Sequence, residues 1–116
     1  MKPIKLMLLS LVLVGGCSAP YVAEYAENQQ WQALGEQDAV NGYWERDLSS
    51  FDGYSAQAKE AYLVGYQMGK SAYCQPEQAW SLGRLGRPYR GICQDLAHGW
   101  SFQQDYNAGR ERWLQW

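Results

Sequence analysis

The chain has 116 residues, with 10 basic and 12 acidic side chains, a net charge of −2 and a mean hydropathy of −0.51. That length holds one small domain. The slight acidity excludes a general nucleic-acid binder, which needs a basic face to displace counterions from phosphate.

The first elements sit at the N-terminus. Lys2 and Lys5 precede an apolar run from Leu6 to Val14, and Gly15, Gly16 and Cys17 follow. A basic start, a short apolar stretch and small residues at a cut site read as an export signal over residues 1–16. The run is too short to cross a bilayer, which takes roughly 20 residues. Its ending in a cysteine resembles the lipobox of bacterial lipoproteins. The resemblance implies that Cys17 is acylated and becomes the first residue of the mature protein. Ser18 after it, rather than Asp, resembles the pattern of lipoproteins sent to the outer membrane. The expected location is the bacterial cell envelope, with the domain lipid-anchored and facing the periplasm.

Residues 17–23 read as a lipidated tether, with Pro20 discouraging helix, and residues 24–116 as a single helical domain. Residues 24–46 are rich in Ala, Glu and Gln, which favours helix. Gly35 and Gly42 are expected to bend it or divide it in two. Residues 48–55 read as a loop ending in a helix cap at Ser55. Residues 56–73 form the clearest helix, because Ala58, Tyr62, Gly65, Gly69 and Tyr73 recur on one face. A glycine costs about 1 kcal/mol in a helix interior relative to alanine. Two on one face therefore point to another backbone coming close. Pro76 fits the first turn of a helix over residues 76–82, and residues 83–91 form a loop. A last helix is expected from Asp95 or Ser101 to the C-terminus. The fold class is all-α, a small bundle of three to four short helices with a disulfide-closed Gly/Arg loop.

The core is expected to be built from rings. The six Trp, nine Tyr and two Phe all follow the leader, where Ile, Leu and Val are scarce. Each ring buries a large area, and Tyr and Trp carry a polar tip that needs a partner. A loose repeat runs through them: Trp31 lies four residues before Gly35, while Tyr62, Trp80 and Tyr106 lie three before Gly65, Gly83 and Gly109. An aromatic one turn before a glycine makes a knob beside a gap. Most of these four rings are assigned to the core.

With Cys17 taken by lipid, Cys74 and Cys93 remain as an even pair. In an oxidising compartment two such cysteines are expected to form a disulfide, worth about 3 kcal/mol for a loop of this length. Metal binding is the competing reading. It lacks ligands, since His98 is the single histidine.

Several spaced motifs together look familiar: Trp31-x3-Gly35-x2-Asp38-Ala39-x2-Gly42, Tyr62-x2-Gly65-x3-Gly69-x3-Tyr73-Cys74, Gly83-x2-Gly86-x2-Tyr89-x3-Cys93, and Phe102-x3-Tyr106-x2-Gly109. The series resembles a family of small bacterial lipoproteins catalogued as domain of unknown function twenty-seven ninety-nine. Members often carry a further cysteine before the helix that begins near residue 56, and residues 54–59 here have none. The resemblance implies location and helical character, and no activity.

Catalytic patterns are weak. The chain has no Gly-x-Ser-x-Gly elbow, phosphate-binding loop or paired histidines. His98 reads as a polar surface or cap residue, and nothing in the sequence brings two of Asp38, Glu60, Glu77 and Asp95 to a working separation. No enzyme and no cofactor are expected.

The strongest candidate site is Gly83-Arg84-Leu85-Gly86-Arg87-Pro88-Tyr89-Arg90-Gly91. Arg84, Arg87 and Arg90, with Tyr89, can grip anions or glycans through forked hydrogen bonds. The competing reading pairs these arginines with the acidic first half of the mature chain. Trp113 and Trp116 can lie against lipid headgroups, where amphipathic rings prefer to sit.

The leading expectation is a non-catalytic structural or interaction module held to the membrane by Cys17. The alternatives are a module binding peptidoglycan or lipopolysaccharide through the arginine loop, and an envelope hydrolase. Another envelope protein is a further possible partner, and nucleic acid is not.

Overall fold

The structure is a computed structural model that describes residues 20–115. The signal, Cys17 and Trp116 lie outside the described residues. Within them the chain forms five helices and no strand: α1 (Tyr21–Glu27), α2 (Trp31–Val40), α3 (Ala56–Tyr73), α4 (Pro76–Arg84) and α5 (Gly99–Leu114). The all-α expectation holds, with one helix more than foreseen.

The extra helix joins the end of the expected tether, residues 21–23, to the start of the stretch 24–46, expected to bend or divide. Pro20 does not block helix; it occupies the N-cap of α1 with φ −62°. A proline at a helix start loses nothing, because the first N–H groups have no intrahelical partner. The break between α1 and α2 falls at residues 28–30, where Gln29 takes a positive φ of 54°. Gly35, expected to bend this stretch, lies inside α2 as a contact point instead. At the start of α3 the Ser55 hydroxyl accepts from the Ala58 N–H at 3.1 Å, as its cap role requires. Pro76 opens α4, which runs two residues past the expected end, through Gly83 and Arg84.

Helices α2 and α3 pack so closely that side chains are excluded between them. A Cβ on Gly65 would fall on the Gln32 carbonyl oxygen, and one on Gly69 on that of Glu36. A Cβ on Gly35 would fall on the Tyr62 carbonyl and stand 2.8 Å from the Tyr66 nitrogen. These contacts advance in the same direction along both helices, so α2 and α3 run parallel. The same arrangement recurs between α4 and α5. There Gly83 meets Tyr106 O and Arg110 N, Gly109 meets Trp80 O and Arg84 N, and further along Gly86 meets the Trp113 ring. In each pair a glycine of one helix sits between residues three before and one after the partner's glycine. The sequence repeat is thus a repeated helix pair.

Parallel helices cannot be joined by a tight turn, so each pair needs a return segment, residues 41–55 in the first and 85–98 in the second. A tyrosine one turn before the second glycine ties down each return. The Tyr62 hydroxyl accepts from the Arg46 N–H at 2.9 Å, and that of Tyr106 donates to the Arg87 carbonyl at 2.7 Å.

Two cores result. One gathers Trp31, Leu34, Leu48, Tyr62 and Tyr66; the other gathers Tyr73, Ile92, Phe102 and Tyr106 around the disulfide. Cys74 and Cys93 are joined, with Cα atoms 5.7 Å apart. Of the four rings, most of them assigned to the core, Trp31, Tyr62 and Tyr106 are buried and Trp80 is 46 % exposed. Like Tyr62 and Tyr106, it meets its partner glycine through its backbone carbonyl rather than its ring.

Candidate functional site

The return segments carry most of the polar chemistry. In the first, Asp38 is fully buried at the end of α2 and receives four hydrogen bonds. Tyr21 Oη donates at 2.8 Å, Tyr62 Oη at 2.7 Å, and Arg46 through Nε at 3.1 Å and Nη2 at 2.9 Å. Every lone pair of the carboxylate is engaged. The hydrogen bond to Asp38 holds the Arg46 guanidinium even more firmly protonated. Asp38 is therefore a fixed strut, tying α1, α2, α3 and the first return together.

Other carboxylates and the histidine are also committed. Asp95 takes both its oxygens to Lys70 Nζ, at 2.8 and 2.9 Å, and that hydrogen bond holds it below the usual carboxylate range. His98 sits at the N-cap of α5 and its Nε2 lies 2.7 Å from the Cys74 carbonyl, to which it donates. This contact brings the start of α5 beside the start of α4.

The arginine segment divides. Arg84 closes α4 and is not part of any cleft lining described below. Tyr89 turns into the second core, its ring 5.2 Å from Phe102 and 5.4 Å from Tyr106, with its hydroxyl accepting from the Cys93 N–H. Arg87 and Arg90 remain outward and meet in a cleft of about 230 Å³ between the end of α2 and the second return. Val40, Leu82 and Pro88 supply its apolar walls; Asn41, Tyr43 and Tyr73 supply its other polar groups. The Arg90 guanidinium lies over the Tyr43 ring, 4.5 Å from its centre, and the Arg90 carbonyl accepts from Trp44 Nε1 at 2.9 Å. Arg90 does reach the acidic half, through the rings of Tyr43 and Trp44. The ion pairs Arg46–Asp38 and Lys70–Asp95 involve neither Arg87 nor Arg90.

One atom in this cleft stands out. Tyr73 is 9 % exposed, and its hydroxyl is the buried side-chain polar atom without a hydrogen-bond partner among the described residues. It ends beside Gly42, between the lining residues Asn41 and Tyr43; a Cβ on Gly42 would stand 2.7 Å from it. Gly42 also holds a φ of +77°, which disfavours any side chain there. Burying a hydroxyl unpaired costs about 1–3 kcal/mol. In the sequence Tyr73 stands out only as a member of the α3 face and of the Tyr73-Cys74 motif, and nothing there marks Asn41 or Tyr43.

A larger concavity, of about 770 Å³, runs along α3 beside Tyr54, Leu63 and Val64. Size favours that trough, but its charged residues, Lys59 and Glu60, are of opposite sign. The small cleft has the convergent chemistry.

The buried phenols give the fold a sharp alkaline limit. Burial pushes Tyr21, Tyr66 and Tyr73 up to about 12 from the ordinary 10, and Tyr62 and Tyr89 also upward. A folded-state value above the unfolded one contributes stability that is complete below pH 10 and is lost as pH rises toward 12. The part of the 295 nm phenolate absorbance that these five tyrosines contribute is expected to appear together with the loss of helical circular dichroism, in a steep step above pH 10. Ionisation of all nine tyrosines near pH 10 with the helices intact would contradict this burial.

Taken together, these features define a small helical domain of two glycine-packed parallel helix pairs, closed by one disulfide. Residues 30–111 match the model of the family described as protein of unknown function (DUF2799), and the chain belongs to that family. No curated protein and no solved structure matches it.

Proposed function

We propose that the protein is a lipid-anchored module of the bacterial envelope, tethered through acylated Cys17 and acting by binding rather than catalysis. The observation that carries this reading is the leader, a basic start and short apolar run ending in Gly16-Cys17. The Cys74–Cys93 disulfide supports it, since such bonds persist in oxidising compartments. Ser18 favours the outer membrane, with the domain facing the periplasm. The engagement of Asp38, Asp95 and His98 in structural contacts supports a non-catalytic role.

The test is fractionation. Wild-type protein is expected in the membrane fraction and to incorporate labelled palmitate, whereas Cys17→Ala is expected to lose the label and leave the membrane. A Cys17→Ala protein that still sediments with membranes would overturn the reading.

A second reading is ligand binding at the arginine segment, whether to peptidoglycan, lipopolysaccharide or another envelope component. The convergence of Arg87 and Arg90 on one cleft favours it.

A further inference from the structure

The cleft is lined by two arginines, by Tyr73 with its unpartnered buried hydroxyl and by an apolar wall, and no Asp or Glu lines it. An orphaned hydroxyl regains its hydrogen bond when a group in the cleft accepts its proton. Arginine forks match the oxygens of an anion, two N–H groups at a time. Arg90 lies over the Tyr43 ring, a contact with a π face rather than with an oxygen, which leaves its N–H donors to be shared with an anion.

We propose that this cleft binds a phosphate monoester, with Arg87 and Arg90 gripping its oxygens and the Tyr73 hydroxyl donating to one of them. The proposal rests on reading the arginine segment as a binding site and names what that site takes. Charge selects the ligand class. A phosphate monoester carries about −1.5 to −2 near neutral pH, matching two cations, whereas a carboxylate carries one charge. Size agrees: about 230 Å³ is below the ~300 Å³ at which ligand pockets ordinarily begin. It admits the phosphate and the first atoms bearing it, and excludes a sugar pair. The phenol, pushed up to about 12 by burial, stays protonated and able to donate at any physiological pH. In the ligand-free fold the hydroxyl is closed to water beside Gly42, so its bond to a ligand requires a small outward shift of the exposed arginine side chains. Both a soluble phosphate ester and the phosphate of a lipid headgroup carry this chemistry.

The experiment uses the full chain, reconstituted in phosphatidylcholine vesicles, with inorganic phosphate, glycerol 3-phosphate and vesicles containing phosphatidic acid as probes. Calorimetric binding and a rise in Tm are expected with the phosphates. Arg87→Gln with Arg90→Gln should weaken binding at least tenfold. Tyr73→Phe should weaken it several-fold while leaving the ligand-free Tm unchanged or higher, since it removes an unpaired polar atom. A purely structural tyrosine hydroxyl would instead lower that Tm and leave binding alone. A larger response to phosphatidic acid than to glycerol 3-phosphate assigns the ligand to a headgroup; an equal one assigns it to a soluble ester. A phosphate response that survives in the double-glutamine variant overturns the proposal. Absence of any phosphate response, alongside arginine-dependent binding of peptidoglycan fragments, overturns the phosphate assignment and keeps the binding site. If neither material binds, both readings fall.

Discussion

Replacing Asp38 with alanine is expected to cost the fold about 3 kcal/mol, the lower end of the range for removing one partner of a buried ion pair. The lower end applies because Arg46 is partly exposed, with 32 % of its side chain accessible, so its charge can turn to water. The phenols have less recourse. Tyr62 is 1 % exposed and loses the acceptor of its proton, keeping only the bond it receives from the Arg46 N–H. For a domain of this size the loss corresponds to a fall in Tm of about 12–24 °C. Asp38→Asn keeps one carbonyl acceptor and is expected to lose less. Thermal unfolding of the two variants separates these outcomes. A loss below about 1 kcal/mol for Asp38→Ala would mean that the four hydrogen bonds contribute little.

The second large effect concerns the helix contacts, and there the sign is diagnostic. On an exposed helix a glycine-to-alanine change stabilises by about 1 kcal/mol through helix propensity. At Gly35 and Gly65 the added methyl falls on backbone carbonyls of the partner helix, which cannot move aside as a side chain can. Overpacking of this kind costs about 1–3 kcal/mol per site, and more where backbone must shift. The Gly35→Ala, Gly65→Ala double variant is expected to lose at least about 3 kcal/mol, read as a lower urea midpoint. Gly109→Ala, at the equivalent place in the second pair, is expected to act likewise. If any of these raises the midpoint, the helices are not in backbone contact.

The interfaces that these substitutions probe were largely legible beforehand. The face Ala58–Tyr62–Gly65–Gly69–Tyr73 announces α3 and its close neighbour because helical periodicity and glycine's missing side chain are local properties. The break at residues 28–30 was not legible, since Gln29 takes a left-handed conformation that its side chain gives no reason to adopt. Nor was α1, where Pro20 starts a helix rather than preventing one. The arginine segment shows the limit most clearly. Spacing groups Arg84, Arg87, Tyr89 and Arg90, but only the fold sends Tyr89 inward, keeps Arg84 on α4 and brings Arg87 and Arg90 to Tyr73. That last residue lies 14 positions before Arg87, on α3 while Arg87 is in the second return, and no local pattern connects them.

Because the paired helices run parallel, neither pair can zip up from a hairpin. Gly35 must wait some thirty residues for Gly65 to arrive, and Gly83 a comparable stretch for Gly109. A chain emerging N-terminus first thus presents α2 as a bare, unpartnered ridge until the whole of α3 has followed, and long-range closure of this sort is slow compared with winding a helix. Assembly therefore comes late in the life of the emerging chain, after its last helix has been made.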